Sequence, residues 1–160
     1  NCIFRRYYMN KRTLALTDSQ YIRIIFAIKG GFSHNGIEYK PNERISTALA
    51  LEANLGLRIS DIINLRYCDI VRDGERFRLD IVEIKTEKAR TFTVPAEIRE
   101  FINDYRIRKG IAENDLLFNL SERAIQKHLK AVCDYLGFDG IITYDKELFI
   151  AFNKLFTFKS

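Results

Sequence analysis

The feature that most restricts the fold of this chain is a double change in the period of its apolar residues. Ile22, Ile25 and Phe26 recur at helical spacing; Phe77, Leu79 and Ile81 then alternate with Arg78 and Asp80; and Ile98, Phe101, Ile102 and Tyr105 return to i, i+3, i+4, i+7. A helix buries a stripe every three to four residues, and a strand buries every second one. The chain must therefore set a small antiparallel sheet between helices, which predicts an α+β fold that is mainly helical with a β-hairpin inserted. A length of 160 residues suffices for one globular domain with its own core and is short for two.

Capping residues sharpen the boundaries. Thr17-Asp18-Ser19-Gln20 has the form of a capping box, and its helix is expected to end near Gly30-Gly31. A polar loop through Asn35-Gly36 and Pro41-Asn42 follows. The run from Glu43 to Asn54 reads as a buried helix interrupted by Gly56, after which Ser60 is expected to cap a short helix, DIINL. A turn at Asp73-Gly74, strands around Phe77–Ile81 and Arg90–Val94, and the charged turn Lys85-Thr86-Glu87-Lys88 make up the sheet. Helices follow over 96–109, stopped by Gly110, and from a Ser121 cap to Leu136, stopped by Gly137. On the last, Ile125, Leu129, Val132 and Leu136 share one face, which leaves His128 to solvent or a ligand.

An apolar fraction of 47% and a charged fraction of 29% argue against a disordered chain. The net charge of +5 suits a polyanionic partner without requiring one. Arg5, Arg6, Lys11 and Arg12 form a basic opening run that reads as a solvated end. Cys2, Cys68 and Cys133 are far apart, show no zinc-ligand spacing and read as reduced thiols, so no metal and no cofactor is expected. No run has the length of a signal peptide or a membrane span, which gives a cytoplasmic expectation, nucleoid-associated in a bacterium. A chain starting at Asn1 reads as a piece of a longer protein.

The segment richest in chemistry is Leu55-Gly56-Leu57-Arg58-Ile59-Ser60-Asp61. Gly56 permits a tight turn, and Arg58 stands at the junction of two apolar helices, where its planar fork can meet a phosphate. Asp61 opens the next helix, where an acid is favoured and could orient the guanidinium. The same spacing also fits a buried Arg58–Asp61 pair that merely closes the junction, and Lys85 by itself fits a solvated turn lysine.

The run GLRISDIINLRYCDI resembles the stretch of tyrosine recombinases (phage-type integrases) that opens with their first catalytic arginine and carries an acid three residues later. The run EIKTEKARTFTVP is similar to their β-hairpin, which holds a catalytic lysine in its turn. The resemblance spans about residues 13–140 of a single, partial catalytic domain. It implies site-specific recombination or integration of DNA by phosphoryl transfer without metal or ATP. Arg58 then matches the first arginine, Asp61 the supporting acid and Lys85 the proton donor. Arg58, Lys85, Lys88, Arg90, Lys127 and His128 become candidate contacts to double-stranded DNA, shared with other recombinase protomers.

Beyond Gly140 the pattern fails. With Thr143 aligned to the family's threonine, Tyr144 stands at the histidine and Glu147 at the second arginine, and no nucleophilic tyrosine follows in context. The tail 141–160 is atypical, with Leu148, Phe149, Phe152, Leu155 and Phe156 at helical spacing. A frame change or decay near Gly140 accounts for an abrupt loss of this kind. The expectation is a chain lacking part of the catalytic set; a non-catalytic DNA-binding module derived from a recombinase is the alternative, and a helical regulatory domain without a DNA role is a third.

Overall fold

A computed structural model describes residues 16–83 and 86–138. The expectations for the basic opening run, Cys2, Lys85 and the tail, including Tyr144 and Glu147, lie outside the described residues. Among those described, the elements run α1 (Asp18–Gly30), β1 (Phe32–His34), β2 (Ile37–Tyr39), α2 (Glu43–Leu55), α3 (Ile59–Ile62), β3 (Ile70–Asp73), β4 (Arg76–Val82), β5 (Ala89–Val94), α4 (Ala96–Lys109) and α5 (Glu122–Leu136). The class is α+β with helix dominant, as the changes of period predict.

The caps act as read from the sequence. The Thr17 hydroxyl accepts from the Gln20 amide while the Gln20 side chain accepts from the Thr17 amide, closing the capping box. The Ser121 side chain caps α5 through the Ala124 amide. Helix α1 packs on α2 and on α5, and α4 packs on β4. The core gathers Ile24 and Ile28 from α1, Ala48, Leu49 and Leu51 from α2, Ile102 and Tyr105 from α4, and Ile125, Leu129 and Val132 from α5. Glu43 ties the start of α2 to the end of α4 through Arg108 and Lys109, both at 2.7 Å.

Two local readings are corrected. The expected loop at Asn35-Gly36 is a hairpin, with Phe32 opposite Tyr39 and His34 opposite Ile37. Asn35 and Gly36 both take positive φ, 50° and 74°, as tight hairpin turns between twisted strands require. Three-residue strands are too short to show an alternating pattern, which hid them. The short helix also starts earlier than Ser60: Arg58 is its N-cap residue, with extended backbone and no side-chain cap. Gly56, left-handed at φ 65°, ends α2, and the chain re-enters helix two residues after Leu57. The sheet has the strand order β3-β4-β5, with Ile81 opposite Arg90 and Val82 opposite Ala89.

Candidate nucleic-acid interface

Arg58 leaves the helical layer at the α2–α3 junction, and its partner comes from the sheet. Arg58 Nη1 donates to Glu83 Oε2 at 2.9 Å. The other carboxylate oxygen, Oε1, accepts from Arg90 Nη1, and the Thr86 hydroxyl donates to Oε2 at 2.6 Å. Glu83 also anchors its own turn through the backbone: its amide donates to the Lys88 carbonyl at 2.9 Å, and its carbonyl accepts from the Glu87 amide at 2.8 Å. Glu87 itself adopts φ 56°, a left-handed conformation uncommon outside glycine.

The electrostatics follow from this arrangement. Hydrogen bonds from Arg90 and Thr86, with the Arg58 charge alongside, hold the Glu83 carboxyl down at about 2. The carboxylate is nearly shut off from water, with its side chain 5% exposed, whereas the side chains of Arg58 and Arg90 are 42% and 50% exposed. Arg90 is steadied further by Phe92, whose ring centroid lies 4.8 Å from its guanidinium carbon. Two guanidiniums thus sit over one buried anion with much of their surface facing water, an arrangement that presents donors to an external anion such as a phosphate.

The sequence-predicted residues divide between two places. Arg58 and Arg90 are brought together, and Lys88, exposed, joins them through the Glu83 turn. Asp61 is buried in the first turn of α3. Lys127 and His128 lie on α5, which packs against α1 and β1; no hydrogen bond or ion pair among the described residues joins them to the Glu83 cluster. The expectation that His128 faces solvent is corrected. Its ring is half-buried, edge-on to Phe32 at 5.7 Å and to Tyr39 at 5.4 Å, and burial lowers its pKa. The unpredicted hairpin supplies both rings that cover it. A separate cleft of about 520 Å³, lined by Arg44, Tyr105, Lys109 and Asn119 among others, shares no residue with the arginine pair.

Glu83 was missed from the sequence, although a signal was present. It continues the parity of Leu79 and Ile81, so an acid falls on the buried face of the strand pattern just before a basic turn.

The fold has solved counterparts. A post-cleavage complex of the XerH site-specific recombinase bound to palindromic difH substrate superposes with a TM-score of 0.59 at 15% identity. It covers 89% of this chain and 42% of that one. A pre-cleavage complex of XerH bound to difH gives a TM-score of 0.58 at 16% identity, over 88% of this chain and 41% of that one.

The fold is that of a tyrosine-recombinase catalytic domain.

The chain spans about two-fifths of the length of those recombinases. No family model matches it, and neither does any functionally characterised protein sequence. On the recombinase fold, the Arg58 junction and the β4–β5 hairpin are the two segments that carry the sequence resemblance, and Glu83 joins them. No helix among the described residues is long and apolar enough to cross a membrane, and no group of His, Cys, Asp and Glu among them could hold a metal ion.

Proposed function

We propose that this chain grips the phosphate backbone of double-stranded DNA through Arg58, Arg90 and Lys88, as part of a site-specific recombinase. The observation that carries the reading is the pair of half-exposed guanidiniums held on one buried carboxylate, on a fold shared with a recombinase solved on its DNA. A planar guanidinium forks onto a phosphate, and preorganised donors stabilise the charge that develops there during phosphoryl transfer. Lys85, between Glu83 and Thr86 in the sequence, takes the role that the resemblance implies, protonating the departing 5′ oxygen as a tyrosine attacks phosphorus. Asp61 supports the Arg58 junction from the first turn of α3. Lys127, exposed on α5, adds a secondary backbone contact, and further protomers bind the same DNA. A half-buried, neutral His128 has no charge to offer a phosphate and drops out of the proposed surface.

Glu147 at the place of the second arginine favours a second reading, a module that occupies DNA without cutting it, because an acid there repels phosphate. Fluorescence anisotropy with a labelled duplex tests the binding. Affinity should fall steeply as salt rises, and Arg58→Ala should weaken it and flatten the log–log salt slope by about 0.9, the loss of roughly one phosphate contact. Affinity indifferent both to salt and to Arg58→Ala overturns the proposal. A covalent adduct on a nicked duplex selects the cleaving reading over the occupying one.

A further inference from the structure

We propose that Glu83 is a positioning residue, whose buried carboxylate holds Arg58 and Arg90 side by side so that both guanidiniums engage one DNA phosphate. The inference rests on the DNA-binding reading above and deepens it. Arg58 comes from a helix junction and Arg90 from strand β5; among the described residues, Glu83 is the group hydrogen-bonded to both. The two arginines take different oxygens of the same carboxylate, Oε2 and Oε1. Their separation is therefore set by the width of a carboxylate and not by the flexibility of two long side chains.

A carboxylate between two arginines can play either of two parts. It can occupy the seat of the external phosphate, as an internal substitute that must be expelled, or it can lie behind the arginines as their support. Exposure decides between them. An internal substitute would sit where DNA reaches it, whereas the Glu83 side chain is 5% exposed beneath guanidiniums that are 42% and 50% exposed. The carboxylate is also fixed from its own side, by the Thr86 hydroxyl at 2.6 Å and by backbone bonds to Glu87 and Lys88. It is part of the turn and has no swing to make. Its depressed pKa keeps it ionised wherever DNA is bound, so the support persists at all working pH values. In the sequence the proposed proton donor, Lys85, lies between Glu83 and Thr86, the two residues bonded to each other in this support.

The test turns on a sign. Charge alone predicts that Glu83→Gln tightens DNA binding, because one negative charge leaves a basic face. Positioning predicts the opposite, a weakening of about tenfold, comparable to the loss of one charge-assisted contact. Anisotropy with the full chain and a labelled duplex reads this directly, in the wild-type background and in the Arg58→Ala, Arg90→Ala double variant. The expected result is weakening in the first background and none in the second. If Glu83→Gln tightens binding or leaves it unchanged while Arg58→Ala weakens it, the positioning role is wrong and the DNA-binding reading stands. If neither arginine matters, both fall. Should Glu83→Gln fail to fold, the arginines alone still decide. A shared seat makes Arg58→Ala and Arg90→Ala strongly non-additive, whereas additive losses mean two independent contacts and overturn the inference.

Discussion

Glu52, in the last turn of α2, and Glu83, just after β4, are almost equally buried, at 0% and 4% exposed. Glu83 receives two guanidiniums and a hydroxyl, and its carboxyl is held at about 2. Neither oxygen of Glu52 has a hydrogen-bond partner among the described residues, and burial, with the charge of Glu122 nearby, pushes its pKa well above the usual carboxylate range. Removal from water raises the pKa of both; at Glu52 nothing opposes it, and at Glu83 the donors outweigh it. What differs is whether the fold brings donors to the oxygens, and that separates a satisfied carboxylate from a liability in the core.

The largest effect expected from this contrast is at Glu52. Replacing it with leucine removes an unsatisfied buried group at similar volume, so Glu52→Leu should raise the unfolding free energy at pH 7 by about 1–3 kcal/mol, read by urea denaturation. A loss of stability would mean that the α2 carboxyl is satisfied after all, and the comparison would break.

The pH dependence comes next, and the two groups have opposite signs. Glu83 has a folded pKa below its unfolded value near 4.5, so it contributes stability that is complete above about pH 4.5 and is lost as pH falls toward about 2. Glu52 has a folded pKa above its unfolded value, so its cost is absent below about pH 4.5 and grows as pH rises through the folded pKa. Stability curves of the wild type against Glu83→Gln should therefore converge in acid, and those against Glu52→Leu should diverge toward neutrality. Parallel curves in either pair would remove the distinction.

The smallest effect sharpens the same point on a half-buried group. The His128 Nε2 is buried without a hydrogen-bond partner among the described residues, and the ring lies edge-on to Phe32 and Tyr39. His128→Phe keeps the shape and discards the orphan nitrogen, and it should raise the unfolding free energy by about 0.5–1 kcal/mol at pH 7. The gain should increase as pH drops below about 6.5, because charging the ring is disfavoured by its burial. Thermal melts at pH 7.5 and 5.5 measure it, and a destabilised variant at both pH values would show that the nitrogen is useful where it is.

The sequence revealed those parts of the fold whose signals are local. Thr17, Ser121, Gly110 and Gly137 mark helix ends through bonds made within one turn, and the switch to alternation marks β4 because seven residues suffice to display it. The β1–β2 hairpin was invisible because its strands are shorter than the pattern that identifies a strand. At the interface, sequence reasoning found Arg58 and Arg90 and supplied Asp61 as the acid to hold the first. A carboxylate bonded to Arg58 that this reasoning did not reach is Glu83, 25 positions away. A pairing between a helix junction and a hairpin turn is made by tertiary packing, and no spacing rule within either segment could announce it.

The bond from Arg58 to Glu83 also ties the interface to the order in which the chain can assemble. Helical turns and hairpins close over a few residues, whereas this contact requires a long segment to be gathered first, at an entropic cost that grows with the span. A peptide carrying the hairpin, or one carrying the two helices, has half of the proposed phosphate seat and no means of setting its width. The proposed competence to hold a phosphate would therefore belong to the docked whole, and a partly unfolded chain that still shows helix should already have lost it.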